Sequence, residues 1–259
     1  MHQPLAYVHP QAKIAQNVVI EPFVTIHKDV EIDEGTWIGS HVTIMEGARI
    51  GKNCRIFPGA VISAIPQDLK FKNEETLTVI GNNVVIREYV TVNRGTRDKN
   101  KTVVCDNALL MAYAHIAHDC NIGKNCIIAN AVNIAGHVKV GDHAIIGGLS
   151  AVHQFVNIGQ HCMISGGSLV RKDVPPYTKA AREPLSFTGI NSIGLRRRGF
   201  TSEKINEIQE IYRYLYLRGH NITKALGIIE AELPASAERD EIISFIQRSD
   251  RGVMRGYRN

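Results

Sequence analysis

The sequence predicts a parallel β-solenoid closed by an α-helical tail. Three observations carry that expectation: an aliphatic residue at every sixth position over the first two thirds of the chain, a column of small residues two places before it, and a change to helical spacing after Val170. Stepping by six from Val8 passes through Ile14, Ile20, Ile26 and onward to Val170, and of the 28 positions visited 25 are Val, Ile or Leu. A run of that length at one period defines the architecture before any single strand is assigned.

Each hexad reads as one short strand and one corner. Side chains alternate across a strand, so the residue two places before the aliphatic one shares its side. That column holds Val18, Thr36, Ala60, Ala114 and Ala144 among others, small enough for a narrow interior, and an aromatic content of only 6% agrees with one. The residue after the aliphatic one is often glycine, as at Gly39, Gly51, Gly81, Gly123, Gly141, Gly147 and Gly159, where a positive φ or a tight bend costs little. Hexads of this kind resemble the hexapeptide repeat of the left-handed parallel β-helix, an all-β fold in which three hexads close one 18-residue triangular coil. The handedness is implied by that resemblance. Spacing itself predicts that residues 18 apart stack at the interstrand distance of about 4.8 Å, over about nine coils.

Only Asp68, Glu74 and Asp98 break the column, and its phase survives both interruptions. Loops are therefore expected near 63–79 and 93–103, and loops on a rigid scaffold commonly carry function. The β-helix is expected over 1–176. The remainder, 177–259, is expected to complete an extended exit that begins at Asp173-Val174-Pro175-Pro176-Tyr177 and then to form a helical domain. Its first helix starts at Thr201-Ser202, with Ile205, Ile208, Ile211, Tyr212 and Leu215 on one face before Gly219. Two more run from Asn221 to Leu233 and from Ser236 to Arg248, separated by Pro234. A helical tail would cover the last coil, whose strand edge would otherwise stay unpaired.

Composition narrows the function classes. With 44% hydrophobic residues and 30 Lys+Arg against 25 Asp+Glu, the chain belongs with globular proteins, not with disordered or fibrous ones. No apolar run approaches the roughly 20 residues of a membrane-spanning helix, and the start Met1-His2-Gln3-Pro4-Leu5 lacks a charged-then-apolar leader, so the cytoplasm is the expected compartment. Five cysteines without a Cys-x-x-Cys pair argue against a disulfide framework and a zinc knuckle. Residues 171–259 carry the whole net charge of +5, which points to an anionic partner near that region. Arg196-Arg197-Arg198 is one short cluster and not the continuous basic stripe that nucleic acid requires.

Cys54, Cys120, Cys126 and Cys162 fall in the inward small column and read as packing residues. The histidines read differently. His118, His137 and His153 are each within two residues of the 18-residue period, so they are expected to line one edge on successive coils, with His115 close by. His143 and His161 stack at another edge and are expected to be solvated, as are His2, His9, His27, His41 and His220. Two chemistries fit the trio. His118 could be a general base oriented by the adjacent Asp119, or neutral imidazoles from neighbouring coils could bind zinc, as in hydratases similar to carbonic anhydrase that share this solenoid.

Further motifs weigh toward the first and leave the zinc hydratase as an alternative. Gln67-Asp68-Leu69-Lys70, Arg94-Gly95-Thr96, Ala114-His115-Ile116-Ala117-His118-Asp119, Ala135-Gly136-His137-Val138, Val152-His153-Gln154-Phe155 and Gly194-Leu195-Arg196-Arg197-Arg198-Gly199-Phe200, in this order and spacing, closely resemble the UDP-N-acetylglucosamine O-acyltransferases of lipid A biosynthesis over essentially the whole chain. The resemblance implies a homotrimer that moves a 3-hydroxyacyl group from acyl carrier protein to the sugar 3-hydroxyl, with no bound cofactor and no metal. The donor is carried on the phosphopantetheine of acyl carrier protein. By position, it implies His118 as base, Asp119 as its orienting group and the Gly136 N–H as oxyanion donor. It also implies Asp68 and Lys70 from the neighbouring subunit, and His115, His137, His153 and Gln154, as substrate-positioning residues. Asn191 and Arg197 would meet the nucleotide phosphates, and Gly166 would leave the acyl pocket long. Related solenoid acyltransferases that acylate an amino sugar are the nearest alternative. Asn93 where the family often has His, Phe71 where Tyr is common, and Arg182-Glu183-Pro184 in place of Gly-Asn-Pro are departures from the pattern.

Overall fold

The computed structural model describes residues 5–256, so His2 lies outside the described residues. Strands mostly two residues long fall in rotation on three sheets of nine, eight and eleven strands, the walls of a triangular prism. Neighbours within each wall are parallel and one coil apart: Thr25 pairs with Thr43, His115 with Asn133, and Asn133 with Ala151. Across the two loops the register stretches, Val61 pairing with Thr91 and Leu77 with Lys101. Residues 65–76 and 94–100 leave the wall at the same corner, between the first and second faces, on consecutive coils.

The six-residue column fills the prism. Ile26, Ile44, Ile62, Ile116 and Ile134 have no exposed surface, and the small column packs between them. Two polar members of that column are satisfied locally, Thr36 donating to the Gly51 carbonyl at 2.9 Å and Ser150 to the Gly147 carbonyl at 2.7 Å. β-Branched side chains suit such walls, because their restricted χ1 loses little on packing in a strand.

The corners differ from expectation in one respect. The left-handed residue is the third after the aliphatic one, as at Asp119, His137 and Phe155, with φ of 60°, 63° and 65°. The glycines directly after the aliphatic residue are not in that region. They are small because stacked corners nearly touch: a Cβ on Gly141 would lie 2.5 Å from Gln160 N, and one on Gly147 2.4 Å from Gly166 N. Non-glycine residues in the left-handed region cost about 1–2 kcal/mol each, and the ladders on either side hold them there.

Beyond Val170 the wall continues. Val174 bridges Ile158, and Thr178–Ala181 pairs in parallel with Met163–Ile164 and antiparallel with Ser186–Ile190. That hairpin covers the edge of the third sheet. Helices α1 (Ser192–Arg197), α2 (Ser202–Tyr216), α3 (Ile222–Glu232) and α4 (Ala237–Gln247) follow, the last three capped by the side chains of Thr201, Asn221 and Ser236. Phe187 of the hairpin stacks on Tyr212 and Tyr216 of α2, and the Tyr212 hydroxyl donates to the Pro176 carbonyl at 2.5 Å. Arg255–Gly256 then returns to pair with Ser186 and Phe187. No helix among the described residues is long and apolar enough to cross a membrane.

Candidate active site

The corner between the first and second faces carries both loops and, on the following coils, residues 117–119, 135–137 and 153–155. The register divides these into three columns: Ala117, Ala135 and His153; His118, Gly136 and Gln154; Asp119, His137 and Phe155. His118, His137 and His153 thus share one edge but stand in different columns. What stacks on His118 is glycine. A Cβ at Gly136 would fall 2.7 Å from Cε1 and 2.8 Å from Nε2 of His118, so the imidazole lies in the space a side chain would occupy.

Asp119 has a fully buried side chain. Its Oδ1 accepts from the backbone N–H groups of Thr96 (2.9 Å) and Lys99 (3.2 Å), and its Oδ2 accepts from Thr96 Oγ1 (2.6 Å) and His118 Nδ1 (2.8 Å). Burial alone would raise the carboxyl pKa, but the hydrogen bonds from Thr96 and His118 hold it below the ordinary aspartate range. A carboxylate can only accept, so Nδ1 of His118 carries the hydrogen and Nε2 offers a lone pair on the Gly136 side. The turn is itself pinned, the Asp119 N–H donating to Thr102 Oγ1 at 2.8 Å.

Other expected residues gather around this pair. His137 meets His118 edge-on at 5.0 Å and stacks flat on Phe155 at 4.5 Å, with Nδ1 3.2 Å from Asp98 Oδ2. His115 points outward from its strand and shares a hydrogen bond of 2.7 Å with Thr91 Oγ1; burial and the neighbouring His118 lower its pKa. His153 and Gln154 are exposed one coil beyond His137. Asp68 and Lys70 line a cleft of about 310 Å³ with Phe71, Thr96, Asp98 and His137, so one chain already brings both loops to the histidine edge. Arg251, which sequence reasoning missed, places Nη2 3.2 Å from His153 Nδ1 across 98 residues of sequence, a separation no local motif reveals. Ligand atoms of His118, Asp119 and His137 lie within 4.8 Å of one another, a grouping that could hold a metal ion, although both Asp119 oxygens are already engaged by hydrogen-bond donors.

Comparison with known proteins agrees along the chain. The model described as UDP N-acetylglucosamine O-acyltransferase, domain 2, matches residues 173–254, a GMPPB C-terminal domain model matches 2–107, and a bacterial transferase hexapeptide model matches 101–136. An acyl-[acyl-carrier-protein]–UDP-N-acetylglucosamine O-acyltransferase from Trichlorobacter lovleyi is 52% identical over 97% of this chain and 98% of its own. The chain belongs to the UDP-N-acetylglucosamine O-acyltransferase family. The solved UDP-N-acetylglucosamine acyltransferase from Bacteroides fragilis superposes with a TM-score of 0.96 at 50% identity, covering 98% of this chain and 100% of that one. The Arabidopsis enzyme superposes at 0.85 with 33% identity over 98% of this chain and 100% of its own. The fold is accordingly the left-handed parallel β-helix, and this family member is an enzyme.

Three expected site residues of this O-acyltransferase family member lie elsewhere in the single chain. Gly166 is exposed at the corner between the third and first faces, where a Cβ would come 3.0 Å from the Gly148 carbonyl. Asn191 is 6% exposed and caps α1: Oδ1 accepts from the Gly194 N–H at 3.3 Å, and Nδ2 donates to the His161 carbonyl at 2.9 Å. Arg197 is exposed on the same helix. Asn93 is buried and donates to the Ile65 carbonyl at 3.2 Å, a loop-anchoring role.

The second histidine stack corrects an expectation. His161 is not solvated: it is 7% exposed, lies between the rings of His143 and Tyr177, and meets Phe200 edge-on. The tail folds back over it, which spacing within the solenoid could not reveal. Burial, then the nearby His143 and Arg198, lower its pKa to about 4. The inward cysteines are packing residues as expected, with burial pushing the thiols of Cys120, Cys126 and Cys162 up to about 12.

Proposed function

We propose that this chain transfers an (R)-3-hydroxyacyl group from acyl carrier protein to the 3-hydroxyl of UDP-N-acetylglucosamine, the first step of lipid A biosynthesis. The observation that carries the reading is His118, its Nδ1 bound to buried Asp119 at 2.8 Å and its Nε2 laid over Gly136. A sugar hydroxyl is a poor nucleophile near neutral pH. His118 Nε2 takes its proton as the oxygen attacks the thioester carbonyl, and the Gly136 N–H supports the resulting oxyanion. As the C–S bond breaks, the imidazolium returns the proton to the departing thiolate, so no acyl-enzyme forms. General-base help contributes about 10²–10⁴ in rate and an oxyanion donor about 10²–10³.

His115, His137, His153 and Gln154 position substrate along the same edge in this reading, and Asp68 and Lys70 act from a neighbouring subunit of a homotrimer. Asn191 and Arg197 meet the nucleotide phosphates, although the buried Asn191 amide would first have to exchange its bond to the His161 carbonyl. Gly166 bounds the acyl chain. The excess of positive charge over residues 171–259 suits an acidic carrier protein, and the reaction belongs to the cytoplasm.

The test is mass spectrometry of UDP-N-acetylglucosamine incubated with purified protein and a panel of 3-hydroxyacyl carrier proteins. A product heavier by one hydroxyacyl group is expected, with the rate reduced about 10²–10⁴ by His118→Ala and unchanged by chelator. No transfer from any donor, or transfer that survives His118→Ala at full rate, would overturn the reading.

A further inference from the structure

After α4 the chain returns to the solenoid and is fastened there. The Ser249 hydroxyl donates to Asp173 Oδ2 at 2.7 Å, the Asp173 N–H to the Gly252 carbonyl at 3.1 Å, the Met254 N–H to the Asp173 carbonyl at 2.9 Å, and the Tyr216 hydroxyl to the Met254 carbonyl at 2.9 Å. Asp173 is itself 1% exposed. This strap delivers Arg251 to the histidine edge, where Nη2 stands 3.2 Å from Nδ1 of His153. The Nε of Arg251 is buried and meets no acceptor among the described residues, so the guanidinium is placed there without that nitrogen being bonded.

The contact is chemically one-sided. A guanidinium has only donors, so a hydrogen bond at 3.2 Å requires a lone pair on His153 Nδ1. The same nitrogen lies 3.1 Å from the Gln154 carbonyl oxygen, which can only accept and so favours the opposite tautomer, with hydrogen on Nδ1. The two contacts compete for one atom. We infer that Arg251 is a positioning residue for acyl transfer, selecting the His153 tautomer with hydrogen on Nε2 so that the ring presents a donor to an acceptor oxygen of the bound substrate. The role rests on reading this edge as the acyltransferase site. Without Arg251 the Gln154 carbonyl captures Nδ1–H, and the ring turns an acceptor toward the substrate instead.

Nitrogen-15 NMR of histidine-labelled full-length protein reads the tautomer directly, with His153→Ala to assign the signal. Arg251→Met keeps the length but removes every donor, whereas Arg251→Lys keeps charge and donors; thermal midpoints show that both remain folded. The expected result is an unprotonated Nδ1 in the wild type, a shift toward Nδ1–H in Arg251→Met, and recovery in Arg251→Lys. In acyl transfer, Arg251→Met lowers kcat/KM about tenfold, the weight of one hydrogen bond, mainly through KM, and adds nothing to His153→Ala. An unchanged tautomer in Arg251→Met, or an undiminished effect on top of His153→Ala, would overturn the inference. A wild type without any acyl transfer would overturn the role in acyl transfer together with the reading of the site, and the NMR comparison would separately decide whether Arg251 sets the His153 tautomer.

Discussion

At Gly136 a hydrogen atom in place of a methyl group gives the His118 ring its place. The ring is fixed from the far side by Asp119 at 2.8 Å and cannot simply retreat from a methyl built 2.7 Å from Cε1. Gly136 is outside the left-handed region, so Gly136→Ala strains the contact and not the backbone. With His118 as the proposed base, we expect this substitution to lower kcat about 10², because displacing that ring by about 1 Å costs on that order, and to lower the thermal midpoint modestly through the crowded contact. Full activity in a steady-state assay would mean that the ring does not work from this position. The sequence made the three histidines of this edge visible through their near-18 spacing. Spacings of 19 and 16 against a period of 18 set them in different columns, whereas the seat of the His118 ring over Gly136 shows only once the side chains are placed.

Among the elements, the 94–100 loop is joined to the corner that carries Asp119. Thr96 gives Asp119 both its N–H and its hydroxyl hydrogen, and the Lys99 N–H adds a third bond, so the loop and the His118–Asp119 corner are one hydrogen-bonded unit. Thr96→Val removes the 2.6 Å bond and leaves a buried carboxylate short of a donor, at about 1–3 kcal/mol. Denaturant unfolding should register that loss, and hydrogen exchange across residues 94–100 should quicken; unchanged protection there would show that the loop is held by other contacts. Elements differed in how legible they were. Helices α2, α3 and α4 announce themselves through the caps Thr201, Asn221 and Ser236 and an apolar face. The hairpin Thr178–Ala181 with Ser186–Ile190 does not, since its pairing partner is Met163–Ile164 of the last coil and nothing local in its sequence demands a strand. Glycines at 51, 141 and 147 suggested bends but serve close approach between coils, a distinction that requires the neighbouring coil to be in place.

For the molecule as a whole, solenoid and tail meet over His161. Its imidazole has an ordinary value of 6.5 and is lowered to about 4 in the folded chain, by burial first and then by His143 and Arg198. Between those values the unfolded chain binds the extra proton, so this contribution to stability is present above about 6.5 and is lost as pH falls toward 4. The full effect is on the order of 3 kcal/mol. His161→Phe, which keeps the stacking on Tyr177, should therefore lose less stability than the wild type between pH 7 and 4.5 in denaturant melts; parallel losses would show that His161 does not sense the closure. The strap has a consequence of another kind. The strap that carries Arg251 is tied through Ser249, Gly252 and Met254 to Asp173, one rung above His153, whereas His118, Asp119 and His137 belong to earlier rungs. Splicing one extra 18-residue coil between Val156 and Asp173 would lift the tail by a single notch of about 4.8 Å and leave the lower edge as it is. The tail behaves as a sliding stop on a graduated rail, whose setting is written in the number of hexads beneath it.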